Sequence, residues 1–195
     1  MSDLLRECGR KVFHMLSLVY LAAYFMIGYP AILAWLGAWS AVVVAVESSR
    51  LYLPGFNDFL FRLFRGLSRP EERGHYSGVF HTTIGALVLI VLFGARPSFV
   101  AAGIWCVSLG DAAAALVGKS IGRVRILGGK KSVEGSAACF LVCAGACSAL
   151  GFRPAAAAAA ALAATVVELL PTTWFFNDNL WMPLATAAAL ALCAG

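Results

Sequence analysis

Charge is what this sequence is short of. Asp, Glu, Lys and Arg make up 13% of its 195 residues, against about 25% in an ordinary soluble domain. The set Ala, Val, Ile, Leu, Met, Phe, Trp, Tyr and Cys takes 61%, and mean hydropathy is +0.84. A globule this small cannot hide so much apolar surface behind so few charges. Those shortages exclude a water-soluble enzyme, a disordered chain and a disulfide scaffold. The expectation is an all-α, polytopic integral membrane protein forming a single domain over 1–195.

Further absences narrow the reading. Of six cysteines, Cys139, Cys143 and Cys147 recur every fourth residue in an apolar run with no His beside them, which suits packing rather than bridges or metal. No small-residue cleavage site follows the first apolar run, which continues into Tyr29-Pro30 and a second run, so no cleavable signal peptide is expected. The net charge of +5 reflects orientation and anionic headgroups in such a chain, not a nucleic-acid partner.

A crossing takes about 20 apolar residues. Candidate runs lie at 11–28, 30–47, 77–93, 97–118, 136–150, 154–170 and 179–194, giving about seven transmembrane helices. Under that count one side holds thirteen of the fifteen cations, and only Arg96 and Arg153 fall on the other. The positive-inside rule then places the N-terminus in the cytoplasm and the C-terminus outside. All ten acids fall in or near the cytoplasmic half, which argues against a transporter with two polar gates. Over 51–69, Phe56, Phe59, Leu60, Leu63, Phe64 and Leu67 oppose Arg62, Arg65 and Arg69. That pattern fits an amphipathic interfacial helix, or else a half-buried connector.

Asp111 is the outlier. It sits in the fourth run, between Gly110 and four alanines, and an ionisable group there costs roughly 2.5–3.5 kcal/mol by insertion scales. Catalysis is the default reading; an ion pair with Lys or Arg is the structural alternative. A loop over 118–136 follows, with Gly118, Lys119, Gly122, Arg123, Arg125, Gly128, Gly129, Lys130, Lys131, Ser132, Glu134, Gly135 and Ser136. Glycine backbone and cations suit a polyphosphate cradle, and Ser132 and Ser136 could cap the next helix. A headgroup-binding basic loop is the alternative. No Walker A spacing is present, since residue 113 is Ala and Gly129 is followed by two lysines. Glu168 closes the sixth run and Asp178-Asn179 opens the seventh, either as Mg²⁺ ligands or, for the latter pair, as helix caps. Arg10, Lys11 and His14 at the start of the first run, with Glu47 and Arg50 at the end of the second, form a further candidate polar site.

These residues resemble a known family: the CTP-dependent lipid kinases (dolichol and polyprenol kinase, phytol kinase, CTP-dependent diacylglycerol kinase), related to phosphatidate cytidylyltransferases. The resemblance runs from Arg10-Lys11-x-x-His14 through Glu47-x-x-Arg50 and Tyr76-Ser77-Gly78 to Glu168-x-x-Pro171 and Asp178-Asn179. Its most specific blocks are Gly110-Asp111-Ala112-x-Ala114 and Gly129-Lys130-Lys131-Ser132-x-Glu134-Gly135-Ser136. It implies phosphoryl transfer from CTP to a membrane lipid alcohol with Mg²⁺. The catalytic group would be Asp111, Lys130, Lys131 and Glu134. Nucleotide would meet Gly110 and the 118–136 loop, and metal would meet Asp111, Glu134, Glu168 and Asp178. The membrane would be bacterial cytoplasmic, or endoplasmic reticulum in a eukaryote, with the site facing the cytoplasm. Gly and Ala are abundant enough for helix–helix contact that a homo-oligomer stays open.

Overall fold

The computed structural model describes residues 9, 11, 14–64, 70–129, 131–171, 173 and 176–193, with backbone only at 70 and 71. Arg10, Arg65, Arg69 and Lys130 therefore lie outside the described residues. Among the described residues the regular structure is all helical apart from one short hairpin. Its helices are α1 (Met15–Ile27), α2 (Ile32–Tyr52), α3 (Pro54–Leu63), α4 (Gly78–Phe93), α5 (Pro97–Ser120), α6 (Val133–Ala149), α7 (Pro154–Leu169) and α8 (Asp178–Cys193).

Local chemistry sets the ends. Gly28, at φ +80°, stops α1 where a side chain would be strained. Prolines 54, 97 and 154 each open a helix, where the missing N–H costs nothing. The Ser77 hydroxyl caps α4 by accepting from the Phe80 amide, and Ser132 caps α6 by accepting from the Gly135 amide at 3.1 Å. Ser136 instead bonds back to the Ser132 carbonyl at 3.1 Å. The start of α8 is held by Asn177, whose Oδ1 accepts from the Asn179 amide at 3.0 Å.

Each of the seven expected runs coincides with a helix, and α2 continues five residues beyond its expected end. Among the described residues two helices, α2 and α5, are long and apolar enough to cross a membrane by length and composition; α1, α4, α6 and α7 are apolar but shorter. Of the amphipathic stretch 51–69, Pro54–Leu63 form α3 while 65–69, with Leu67, lie outside the described residues, and the expected face is divided. Leu60 and Phe61 turn toward the protein, while Phe59, Leu63 and Phe64 stay exposed.

The helices pack in the order α2, α4, α8, α7, α6, with α5 threaded through the centre. A π-turn at Cys106–Gly110 interrupts α5 and touches α6, α7 and α8. Such turns widen a helix by one residue and often mark functional sites. Here the turn ends immediately before Asp111. Small residues allow close packing: a β-carbon on Gly110 would stand 2.5 Å from Cys143 Sγ and 3.1 Å from Met182 Cε.

Candidate functional site

Asp111 is buried at 6% exposure, and the first helical stretch supplies its partners. Lys11 Nζ donates to Asp111 Oδ2 at 2.5 Å, and His14 Nε2 lies 3.6 Å from the same oxygen. His14 Nε2 is also 3.1 Å from the Val107 carbonyl oxygen, and the Ser17 and Ser108 hydroxyls meet at 2.7 Å. Residues 11, 14 and 17 lie three apart, so they share one helical face. That face is keyed into the π-turn, where 107, 108 and 111 receive it. Lys11, His14 and Asp111 thus form one site, as the expected clusters at the two places separately could not show.

The 118–136 loop is a hairpin. Strand β1 (Arg125–Ile126) pairs antiparallel with β2 (Lys131–Ser132). Leu127, Gly128 and Gly129 turn it with φ of 51°, 68° and 86°, and the two glycines face open space. The other glycines have a packing role. A β-carbon on Gly122 would stand 2.6 Å from Ser132 Oγ, one on Gly118 3.0 Å from the same atom, and one on Gly135 2.6 Å from the Ala114 carbonyl oxygen. Glu134 belongs to the loop's own architecture. Its carboxylate accepts from the Arg123 amide at 2.9 Å and the Val124 amide at 3.1 Å. Hydrogen bonds from its own amide and those two hold its carboxyl below the ordinary value.

Lys131 leaves the hairpin to pair with Glu168, at the end of α7, and donates to the Glu168 carbonyl oxygen at 2.7 Å. Lys131 also acts electrostatically on Asp111, and Asp111 and Asp178 both act on Glu168. The four groups lie in one electrostatic neighbourhood. Glu168 Oε2 is buried and has no hydrogen-bond partner, an arrangement that costs free energy unless something fills it.

Glu47 and Arg50 form a clamp at the end of α2. Arg50 donates to Glu47 Oε2 at 2.7 Å, the Glu72 carbonyl at 2.8 Å and the His75 carbonyl at 2.6 Å. Glu47 in turn accepts from the Ser77 amide and hydroxyl at 2.8 and 2.9 Å. Sequence reading named the Glu-Arg pair, but not the backbone carbonyls that it holds.

Between α1, α2, α3 and α4 runs a groove of about 680 Å³. Lys11, His14, Asp111, Asn177 and Asn179 line its polar end. Leu16 and Val19 from α1, with Trp39, Val42 and Val46 from α2, line its apolar length. These five were legible only as span residues; nothing in their spacing marks a groove wall. Among the described residues, no group of three or more His, Cys, Asp or Glu gathers as a metal cage.

The fold and site define an all-helical protein with a mainly apolar groove that ends on a buried, ion-paired carboxylate. No family model, curated protein or solved structure matches the chain.

Proposed function

We propose that this chain is a membrane-embedded lipid kinase that moves the γ-phosphoryl group of CTP to the hydroxyl of a membrane lipid alcohol. The observation that carries the reading is the groove, apolar along its length and ending on Asp111. A lipid alcohol has the same polarity from end to end. Large apolar side chains exposed on most helices, among them Phe25, Trp35, Leu141, Leu162 and Leu192, suit seven crossings with the N-terminus cytoplasmic. CTP as donor, and polyprenol, dolichol, phytol or diacylglycerol as acceptor, come from the resemblance of the Gly-Asp and Gly-Lys-Lys-Ser blocks.

In this reading Asp111, oriented by Lys11 and His14, accepts a hydrogen bond from the alcohol. It takes the proton as the alcohol oxygen bonds to the γ-phosphorus; the bond to the β–γ bridging oxygen breaks and CDP leaves. Phosphoryl transfer is mostly positioning and charge stabilisation. Lys119, Arg123, Arg125 and Lys131, beside a turn whose Gly128 and Gly129 leave open space where side chains would stand, would serve that task. Mg²⁺ usually takes one or two carboxylates plus substrate phosphates, so the missing three-acid cage is no obstacle. The unpartnered Glu168 oxygen fits such an ion, and Glu168 with Asp178 would hold it. Bound there, it would neutralise charge on the transferred phosphate.

The test is label transfer with purified protein, comparing γ-labelled CTP and ATP against polyprenol, phytol and diacylglycerol. Label passing from CTP into a lipid supports the kinase. A CDP-lipid formed from α-labelled CTP and phosphatidate would make the chain a cytidylyltransferase. Failure to bind nucleotide would make it a non-enzymatic transporter or lipid-binding protein.

A further inference from the structure

Large apolar side chains also stand in the open away from the helix faces. At the hairpin between α5 and α6, Ile121 is 64% exposed, Val124 56%, Leu127 54% and Val133 47%. The Val133 amide donates to the Val124 carbonyl oxygen at 3.0 Å, so these two stand opposite each other just beyond the β1–β2 pairs. Among the described residues Leu127 is the one residue other than glycine at positive φ, at 51°. A left-handed backbone costs a leucine free energy that Gly, Asn or Asp would largely escape. With over half its surface open, Leu127 gains little packing inside the chain to offset that cost. Such an outlier points to a contact outside the molecule.

Cations alternate with these side chains. Arg123 and Arg125 are exposed on either side of Val124. The one carboxylate of the 118–136 loop, Glu134, is taken up by the Arg123 and Val124 amides. A dissolved polyphosphate would meet the cations and leave the apolar side chains in water. A second copy of the chain would bring the same cations against themselves. A bilayer surface with anionic headgroups suits both features. Apolar side chains enter the boundary of headgroups and acyl chains to about 5–10 Å, and arginines lie at phosphate level. Ile121 follows the last residue of α5, a helix long and apolar enough to cross a membrane. The patch thus begins where that helix would leave the apolar layer.

We infer that this hairpin docks on the anionic lipid surface of the membrane that holds the chain. Ile121, Val124, Leu127 and Val133 enter the interface, and with nucleotide absent Arg123 and Arg125 meet lipid phosphates. On its inner side the same hairpin is tied to α7 by the Lys131–Glu168 pair, so it is held from both sides. The docking rests on the membrane part of the proposed function and does not depend on CTP.

The experiment is fluorescence quenching on the full chain in lipid nanodiscs, without nucleotide. With Cys8→Ser and Cys193→Ser the four remaining cysteines are buried. An environment-sensitive NBD probe is then attached at Leu127→Cys or, as a control, at Leu141→Cys on the exposed face of α6. In nanodiscs of phosphatidylcholine with phosphatidylglycerol, the Leu127 probe should be quenched by doxyl-labelled lipid and shielded from iodide. In phosphatidylcholine alone that quenching should be largely lost, and Arg123→Gln with Arg125→Gln should lower the docked-to-free ratio roughly tenfold. A probe at Val124→Cys should lose its lipid quenching with Leu127→Asn, a residue at ease in the left-handed region, while the melting temperature holds. Iodide access at Leu127 with lipid quenching at Leu141 would overturn the docking and keep the membrane reading. Iodide access at both would overturn the membrane reading as well. Shielding from iodide without lipid quenching would put protein on the patch, and equal quenching in phosphatidylcholine alone would remove the anionic surface; either result overturns the proposal.

Discussion

Helices α2 and α5 are nearly alike as strings of residues. They have 21 and 24 residues and mean hydropathies of 1.6 and 1.8. Yet 28% of the most apolar window of α2 is buried within the protein, against 67% for α5. The difference is side-chain size. Helix α2 carries Trp35, Trp39, Val42 and Val46 outward, while α5 intersperses Ala, Gly, Ser and Cys with Phe99, Val100, Ile104 and Val107 at its buried positions. Small side chains let neighbouring backbones close in, whereas large ones hold them off or face the surroundings. Hydropathy thus selects helices, and residue volume decides which becomes the centre. The central helix can keep an ionised group away from its surroundings and supply partners from elsewhere in the chain; the peripheral one supplies a wall.

The largest test of that contrast is at Asp111. Asp111→Asn should lower turnover by about 10²–10⁴-fold, the ordinary worth of a positioned acid or base. It also leaves Lys11 buried without its charge partner, a loss of about 3 kcal/mol or more. The double change Lys11→Met with Asp111→Asn should recover most of the melting temperature and none of the activity. If activity returned along with stability, Asp111 would be structural.

A second comparison sets two helix glycines against each other. Gly110→Ala drives a methyl group into Cys143 and Met182, an overpacking expected to cost about 1–3 kcal/mol. Gly37→Ala on α2 meets nothing within 4 Å and should stabilise by up to about 1 kcal/mol, the helix-propensity gain. Thermal unfolding in one detergent would read both. Equal shifts would erase the distinction between central and peripheral helix.

The smallest effect lies outside the helices. Because the Glu134 carboxyl is held below its ordinary value in the folded loop, its contribution is complete above that ordinary value. It is lost as pH falls through the depressed one. Amide exchange at Arg123 and Val124 should lose protection over that acid window, and Glu134→Gln should weaken protection at every pH. Unchanged exchange in the variant would remove Glu134 as the loop's anchor.

Much of this arrangement was legible from local pattern. The seven apolar runs fall on seven helices because hydropathy and its breakers, such as Gly28, Pro97 and Pro154, act within a few residues. Asp111 stood out because ionisable groups are rare in apolar runs, and Ser132 read as a cap from its place before α6. The loop glycines were harder. Gly118, Gly122 and Gly135 looked like Gly128 and Gly129, and only their neighbours show that three pack and two lie open. At the start of α8 the Asn179 amide is shared by Asp178 and by Asn177, one position earlier than the Asp-Asn pair suggested.

By itself, then, the sequence determined an all-helical, strongly apolar chain, the places where its helices begin and end, and the one carboxylate that needed explaining. Tertiary structure alone decided that Lys11 and His14 answer Asp111 across 100 and 97 positions, and that Lys131 answers Glu168 across 37. It alone decided that Leu16, Val19, Trp39, Val42 and Val46 border one groove. The physical reason is range. Hydropathy, capping and backbone strain are settled among near neighbours in the chain. Which helical face meets which depends on how side chains of different volume fill the space between helices, a property of the assembled whole.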